Sequence, residues 1–336
     1  MLKHLLIILN FVFFLVVVGC SKAPDTLNLD YHSRLQSQLS LPELIPYSDT
    51  YKLVKPTFQQ IQTSKITILQ LAKIQHCQLG QLIAEQNSQL GKMAGPSAQF
   101  IYQVRFLQLL PQCIKTLNDE KLIAQLNSVY IEKSSNIFFF WQQLVFLDAQ
   151  LAALYLPSRY SLMEINEDNK QATLNTLHYL YQIKAALDVK QIEAIPIISL
   201  ENHLSTLYKN PYLASLLRAM YEQIHILQQQ NQALAKISIS SLCKAGHNTE
   251  KANILSNIFT KFYGSKIQQY HNVLIREYDA IHPQLSSLWQ DSFSTPYKSN
   301  LLIHPLDLSN SLKALSIKHV TWWQTLYKHC DIVPGR

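Results

Sequence analysis

The chain has 336 residues, of which 48% are hydrophobic and only 7 are glycine, and its formal net charge at pH 7 is +7. The basic residues are dispersed and do not alternate with aromatic residues, so the sequence lacks the pattern of a nucleic-acid groove. The glycines are too widely spaced for a phosphate-cradling loop, and a chain poor in glycine but rich in leucine and glutamine favours helices.

The first 19 residues have the organisation of a secretory signal peptide. Lys3 supplies a positive charge, and residues 5–18 form an apolar run that only Asn10 interrupts. That run is shorter than the roughly 20 residues that a membrane-spanning helix needs. The sequence therefore predicts a cleaved signal peptide over residues 1–19, and the alternative is an uncleaved N-terminal anchor helix.

The signal ends in Val17-Val18-Gly19-Cys20, which resembles the lipobox of bacterial lipoproteins. The resemblance implies that Cys20 is acylated and becomes the first mature residue, with residues 20–27 as a lipidated tether to the membrane. Ser21 follows, and not the aspartate that usually marks inner-membrane retention, so the resemblance also implies an outer-membrane location facing the periplasm. More than one acyl chain is enough for stable anchoring. Loss of Lys3 with the signal lowers the net charge from +7 to +6.

Two helices joined by a tight turn are predicted near the start of the mature domain. The first covers residues 64–89 and the second covers residues 97–117, because apolar residues recur near helical spacing in both. Gly91 and Gly95 mark the turn, and Ser97 is the expected N-cap of the second helix. The sequence therefore predicts an antiparallel helical hairpin.

One cysteine lies in each arm of this hairpin, Cys77 in the first and Cys113 in the second. Both are equally far from residue 95 in the turn, and both helices rise 1.5 Å per residue, so the two cysteines should lie at the same height. In an oxidising periplasm that arrangement predicts a disulfide. The alternative is a pair of buried free thiols.

The rest of the mature chain continues the helical pattern, and no stretch shows the two-residue alternation of a strand. Asn118 or Asp119 is the expected cap of the next helix, Arg218 and Glu222 are expected to form an exposed ion pair, and Pro283 is expected to kink or interrupt the longest helix. These further helices are predicted over residues 30–39, 119–154, 167–187, 200–208, 211–234, 249–288 and 307–328. No linker or composition shift marks a boundary, so we predict an all-α fold with a single multi-helix domain over residues 28–336.

The remaining cysteines, Cys243 and Cys330, flank the last long helices and are predicted to form a second disulfide. Four mature cysteines allow three connectivities, and pairing of sequence neighbours is the one that we prefer. With His247 and His329 the same cysteines could instead ligate zinc. An oxidising compartment favours the disulfide, so no metal and no cofactor is expected.

The candidate binding residues lie at the hairpin turn. Glu85, Asn87 and Ser88 close the first arm, and Arg105 lies within reach on the second arm. Charged and amide groups beside a tight turn could line a binding site. The alternative is that Asn87 and Ser88 cap the helix while Glu85 pairs with Arg105 across the hairpin.

Short motifs spread over the mature chain carry a family resemblance. They are Cys77-Gln-Leu-Gly, Glu85-x-Asn87-Ser88-x-Leu90-Gly91, Pro96-Ser97, Arg105-Phe106-Leu107, Cys113, Asn257-x-Phe259-x-x-Phe262-Tyr263-Gly264 and Trp323…Cys330. Together they resemble an uncharacterised family of Gram-negative envelope lipoproteins, domain-of-unknown-function family 3080. The resemblance covers nearly all of the mature chain as one domain, and it brings no known activity, cofactor or catalytic residue.

The sequence leads us to expect a lipid-anchored binding or adaptor protein that meets the membrane through its anchor and binds an envelope protein or cell-wall component. Two alternatives stay open. The first is an envelope hydrolase or lyase with its site near Glu85 and Arg105. The second is a carrier with an apolar cavity near residues 138–141. A polar cleft containing Glu85 and Arg105 would favour the enzyme, and an apolar tunnel would favour the carrier.

Overall fold

The structure is a computed structural model, and it describes residues 24–47, 58, 61, 66–154, 158–289 and 305–333. The signal peptide, Cys20 and the residues around Pro157 lie outside the described residues. Every regular element in the described ranges is a helix, which confirms the all-α prediction. The chain divides into two compact units. Unit 1 contains the described residues of the ranges 1–45, 229–270 and 318–336, and unit 2 contains those of the ranges 46–228 and 271–317.

In unit 2 the prediction of one continuous helix over residues 64–89 is wrong, because the helix is interrupted twice. It consists of α1 (Ile68–Lys73), α2 (Gln78–Asn87) and α3 (Gln89–Lys92). At the first break Cys77 takes an extended conformation, with φ −92° and ψ 150°. Gly80 permits this tight turn, because a Cβ there would lie 2.3 Å from the Ile74 carbonyl oxygen.

The second arm of the hairpin is α4 (Pro96–Ile114). Gly95 is its N-cap and Pro96 its first residue, so the prediction of Ser97 as N-cap is wrong. The reason is that proline suits the first helical position, where the backbone N–H has no intrahelical acceptor.

A disulfide joins the two arms of the hairpin, and its Cα atoms are 5.6 Å apart. Cys77 and Cys113 therefore pair as predicted. Around the disulfide lies an apolar core to which α2, α4 and the next helix contribute. Its buried members are Ile74, Leu79, Leu82, Ile83, Phe106, Leu110, Cys113, Leu122, Leu126 and Val129.

The next helix, α5 (Glu120–Leu147), is the longest α-helix of the described chain and packs along α4. Asp119 caps it as predicted, since its Oδ1 accepts a hydrogen bond from the Leu122 N–H at 3.1 Å. Asp148 ends α5 in an extended conformation, so the expected continuous helix to residue 154 is divided at this residue. The rest of unit 2 contains α6 (Ala149–Leu154), α7 (Glu167–Asp188) and α8 (Leu200–Ser205).

Helix α9 (Tyr212–Ala235) contributes residues 212–228 to unit 2. Arg218 and Glu222 pair at 3.8 Å, but their side chains are only 11% and 16% exposed, so the prediction of an exposed pair is wrong. The Tyr47 ring lies 4.6 Å from the Arg218 guanidinium carbon, and the Ser161 hydroxyl donates to the Glu222 carboxylate. Residues distant in sequence therefore cover a pair that helical spacing alone suggests is on the surface.

The C-terminal half of the chain contains one long helical run. It begins with α10 (Glu250–Ile258), passes through a π-helix (Phe259–Ile267) and continues as α11 (Gln268–Trp289). Thr249, where this helix is predicted to begin, is its N-cap, since its Oγ1 accepts a hydrogen bond from the Ala252 N–H at 3.2 Å. Pro283 lies inside α11 and does not end the helix. The last helix is α12 (Leu308–Cys330).

Unit 1 also contains the first helix of the described chain, Pro24–Leu39, which begins six residues before the predicted start at Asp30. Its Tyr31 is fully buried and donates to His319 Nε2 at 2.8 Å. His319 Nδ1 lies 2.9 Å from Asn231 Oδ1, an acceptor, so the proton is on Nδ1. The His319 ring lies 4.3 Å from the Tyr263 ring of the π-helix, and this buried polar and aromatic group forms part of the core of unit 1.

The second disulfide, Cys243–Cys330, also lies in unit 1 with Cα atoms 5.6 Å apart. The preferred connectivity is therefore confirmed for both pairs. The two thiols of the imagined zinc site are bonded to each other, and no group of three or more metal-ligating side chains occurs in the described part of the chain. None of the described helices is long and apolar enough to cross a membrane.

Candidate functional site

An open cleft with a volume of about 640 Å³ lies beside the hairpin turn in unit 2. Helices α2, α4 and α5 form its walls, and that volume is within the range of small-molecule sites in proteins. The lining is mixed: aliphatic and aromatic side chains alternate with amides and two lysines. The polar members of the lining are Gln86, Asn87, Lys92, Gln99, Gln103, Lys133 and Gln143. Among the described residues that line the cleft, none is acidic.

Helical spacing on α4 explains why these side chains meet. Gln99 and Gln103, and likewise Tyr102 and Phe106, are four residues apart and so lie on one face of the helix. The facing helix α5 contributes Lys133 from the stripe that also contains Val129 and Ile137. The stripe is apolar before and after this residue, so the helical pattern predicts a core position for the lysine.

The Lys133 side chain is only 6% exposed. Its Nζ donates to Gln103 Oε1 at 2.8 Å and lies 5.1 Å from the centre of the Tyr102 ring and 4.8 Å from that of Phe106. No carboxylate of the described chain forms an ion pair with it. Removal from water lowers the pKa of Lys133 to about 8, although the nearby charge of Glu132 acts in the opposite direction.

Two amides hold the rim of the cleft in place. Gln86 Nε2 donates to the Gly91 carbonyl at 3.0 Å and to Gln99 Oε1 at 3.2 Å. Gln99 Nε2 donates to the same Gly91 carbonyl at 3.3 Å. A Cβ on Gly91 would lie 2.5 Å from the carbonyl oxygens of Glu85 and Gln86. Only glycine therefore fits where the turn approaches the end of α2.

The four predicted binding residues do not come together. Asn87 lines the cleft, whereas Glu85 and Arg105 are exposed, lie outside its lining and form no ion pair within the described chain. Ser88 follows the last residue of α2, and its Oγ accepts a hydrogen bond from the Gly91 N–H at 3.1 Å, so its side chain caps the start of α3. The alternative is therefore right about Ser88 at the end of α2 but wrong about an ion pair between Glu85 and Arg105. The cleft contains neither member of the expected Glu85 and Arg105 pair.

Sequence reasoning missed Lys133, which is the most unusual group in the cleft. A signal for it existed: Val129 and Ile137 are both buried members of one stripe, and Lys133 lies midway between them. Of the aromatic cluster at residues 138–141, Phe139 and Phe140 do line the cleft, while Trp141 is buried in the core.

A second buried titratable group in unit 2 is His271, which is 1% exposed. Its Nε2 donates to Gln223 Oε1 at 2.9 Å, and its Nδ1 accepts from the Ser316 hydroxyl at 3.2 Å. Burial lowers the pKa of His271 to about 3, so the ring is neutral at physiological pH. Its contacts and its burial assign it to the packing of unit 2.

Comparison with known proteins gives one match. The model of a protein family described as protein of unknown function (DUF3080) matches residues 28–334, which is most of the chain. No curated protein matches. No solved structure matches either.

Proposed function

We propose that this chain, which belongs to the DUF3080 family, is a lipid-anchored protein of the cell envelope that acts by binding a ligand in the cleft of unit 2. The observation that carries the proposal is the Lys133 ammonium, buried in an open cleft without a carboxylate partner in the described chain. The lipobox resemblance at Cys20 supports the anchor, with the domain in the periplasm at the outer membrane.

Burial of the Lys133 ammonium costs free energy in the folded protein. A buried ammonium is unfavourable unless it is paired and hydrogen-bonded. Folding alone would be served better by an apolar residue at position 133, because its neighbours on the stripe are apolar. A side chain that lowers stability and faces an open cleft is typical of a functional site, where a residue serves binding or catalysis at a cost in stability.

The lining favours binding over catalysis. Amides and aromatic rings give hydrogen bonds and contact area, and the cleft contains neither Glu85 nor Arg105, which the enzyme alternative required. The lining is also about as polar as it is apolar and open to solvent, unlike the apolar tunnel that the carrier alternative required. A recognition site for a polar ligand with an apolar part fits these walls.

A pair of photocrosslinking variants tests the proposal in intact cells. Asn87 and Glu85 are both exposed and lie two residues apart on α2, but only Asn87 lines the cleft. A photoreactive amino acid at position 87 should give a specific adduct upon irradiation, and one at position 85 should give much less. Adducts from position 85 alone would move the site to the Glu85 and Arg105 face, and no adduct at position 87 would contradict the proposal.

A further inference from the structure

We propose that the cleft binds the C-terminal end of a peptide, with the free carboxylate on the Lys133 ammonium and the preceding peptide groups on the amides of the lining. This inference rests on the proposed function, because it names the ligand class of the same cleft. Among the described residues that line the cleft, none has a carboxylate that could occupy the position proposed for the peptide carboxylate.

The Lys133 ammonium lacks a compensating anion within the described chain. Lys133 Nζ has three N–H groups, and the hydrogen bond that the structure gives it goes to Gln103 Oε1. The Tyr102 and Phe106 rings offer only their faces to the charge. A neutral amide and two ring faces compensate a buried ammonium incompletely, so an anion entering the cleft would supply the missing charge.

A carboxylate matches the charge of the cleft better than a phosphate does. Lys133 is the one buried cation of the described lining, while Lys92 is exposed at the rim. One ammonium neutralises one negative charge, which is the charge of a carboxylate. A phosphate monoester carries a charge of about −1.5 to −2. Phosphate sites also use arginine, whose planar fork fits the group, and the described lining contains no arginine.

A peptide fits the polar groups of the lining better than a fatty acid does. The amides of Asn87 and Gln143 line the cleft without a hydrogen bond to any described residue. Each amide offers a donor and an acceptor, which is what a peptide group requires from its partner. Phe139 and Phe140, whose ring centres are 5.4 Å apart, offer an apolar surface for a side chain. A peptide alternates amides and side chains, whereas a fatty acid has no group for the amides.

Proton linkage agrees with this assignment. Burial lowers the pKa of Lys133 to about 8. A carboxylate beside the ammonium would raise that pKa again, because an opposite charge favours the protonated form. Binding should therefore be accompanied by proton uptake above pH 8, which calorimetry in two buffers of different ionisation enthalpy would detect.

The test uses the full lipidated chain in detergent micelles and a mixed-sequence library of N-acetyl tetrapeptides. One form of the library has free carboxylates at the C-terminus, and the other has carboxamides. The peptides that stay bound to the protein are counted by mass spectrometry. We expect the free acids to be retained at least about tenfold better than the amides, as a charge-assisted hydrogen bond would give. Equal retention of acids and amides would overturn the inference, and so would displacement of the acids by inorganic phosphate or decanoate at equal concentration.

Matched variants locate the effect at the buried lysine. Lys133→Met should lose the preference for free acids, whereas Lys121→Met, at an exposed lysine of α5 that lies outside the lining of the cleft, should keep it. Gln103→Glu keeps Lys133 but places a carboxylate where the Gln103 amide oxygen now accepts from it, so this variant should fold and also lose binding. Retention of the preference in both Lys133→Met and Gln103→Glu would contradict the inference even if one variant folded poorly.

The crosslinking and the peptide-binding experiments separate a failure of the peptide ligand class from a failure of the proposed function. If position 87 crosslinks in cells but no tetrapeptide acid is retained, the cleft is a binding site for another class of ligand. If position 87 gives no adduct, the proposed function fails together with the peptide inference.

Discussion

At the scale of single residues, the position of Lys133 shows what periodicity can and cannot reveal. Its spacing from Val129 and Ile137 predicts a core position, but the spacing does not say which side chains surround it. Those neighbours come from α4, about 30 residues earlier in the chain. The effect of the Lys133 charge on stability and on binding therefore depends on tertiary contacts.

Replacement of Lys133 by methionine should stabilise the protein at pH 7. The pKa of Lys133 falls from 10.5 to about 8 on folding, and each unit corresponds to about 1.4 kcal/mol. The free energy of unfolding should rise by up to about 3 kcal/mol in Lys133→Met. Between pH 8 and pH 10.5 the unfolded wild type binds more protons than the folded protein, so wild-type stability rises with pH in that window.

Urea unfolding of the wild type and of Lys133→Met at pH 7 and pH 10 measures this effect. The difference between the two proteins should shrink at pH 10, where folded Lys133 is neutral. A variant that is much less stable than the wild type at both pH values would show that Lys133 contributes chiefly to packing.

His271 should make unit 2 sensitive to acid. Its pKa is 6.5 when unfolded and about 3 when folded, so the unfolded state takes up a proton first as the pH falls. The contribution of neutral, buried His271 is complete above pH 6.5 and is lost progressively towards pH 3. At pH 5 the loss should be about 2 kcal/mol.

Thermal melting of the wild type and of His271→Gln between pH 7.5 and pH 4.5 tests this prediction. The variant should be less stable at pH 7.5 but lose less stability on acidification. Parallel pH profiles for the two proteins would mean that His271 is not the group responsible.

At the scale of elements, the hairpin is defined by one disulfide and one close backbone approach. Equal distance from the turn correctly predicted the pairing of Cys77 with Cys113, because both arms rise at the same rate. That prediction survived the unexpected break before α2, since Cys77 itself lies at the break and starts the regular arm.

Loss of the hairpin disulfide should destabilise the protein substantially. Cys77 and Cys113 are separated by 36 residues, and the chain-entropy model gives about 4 kcal/mol for a loop of that length. Cys243 and Cys330 are separated by 87 residues, for which the same model gives a slightly larger value, about 4.6 kcal/mol. Urea unfolding of the two double cysteine-to-serine variants should show losses in this order, and a loss well below 1 kcal/mol for Cys77 with Cys113 would contradict the prediction.

Gly91 should resist substitution where Gly95, four residues later, does not. A Cβ on Gly91 meets two backbone oxygens at 2.5 Å, whereas one on Gly95 meets nothing within 4 Å. Gly91→Ala should cost about 1 to 3 kcal/mol and disturb the rim of the cleft. Gly95→Ala should cost less than about 1 kcal/mol, because only the N-cap preference changes. Thermal melting compares the two, and equal losses would contradict the tight turn.

At the scale of the whole molecule, the proposed lipid anchor at Cys20 would determine where the protein works. Cys20→Ser should release the protein from the membrane fraction, because no acyl chain could be attached. Ser21→Asp should stay membrane-bound but move to the inner membrane, which makes it the matched control. Fractionation of cell envelopes measures both, and unchanged outer-membrane recovery of Cys20→Ser would contradict the anchor.

The sequence by itself determined the features that depend on local periodicity and local chemistry. These include the all-α class, most helix bounds, the cap at Asp119, the helix start at Thr249, and the pairing of Cys77 with Cys113. Such features follow from interactions within one helix or across one short turn, so a single stretch of sequence contains all the information that they require.

Tertiary structure alone decided the burial of Arg218 and Glu222 and the composition of the cleft. Each depends on groups that the chain brings together from distant positions, such as Tyr47 beside Arg218 and Gln103 beside Lys133. The physical reason is that the cost and the use of a buried charge depend on all the groups around it, whereas periodicity records only its position on one helix.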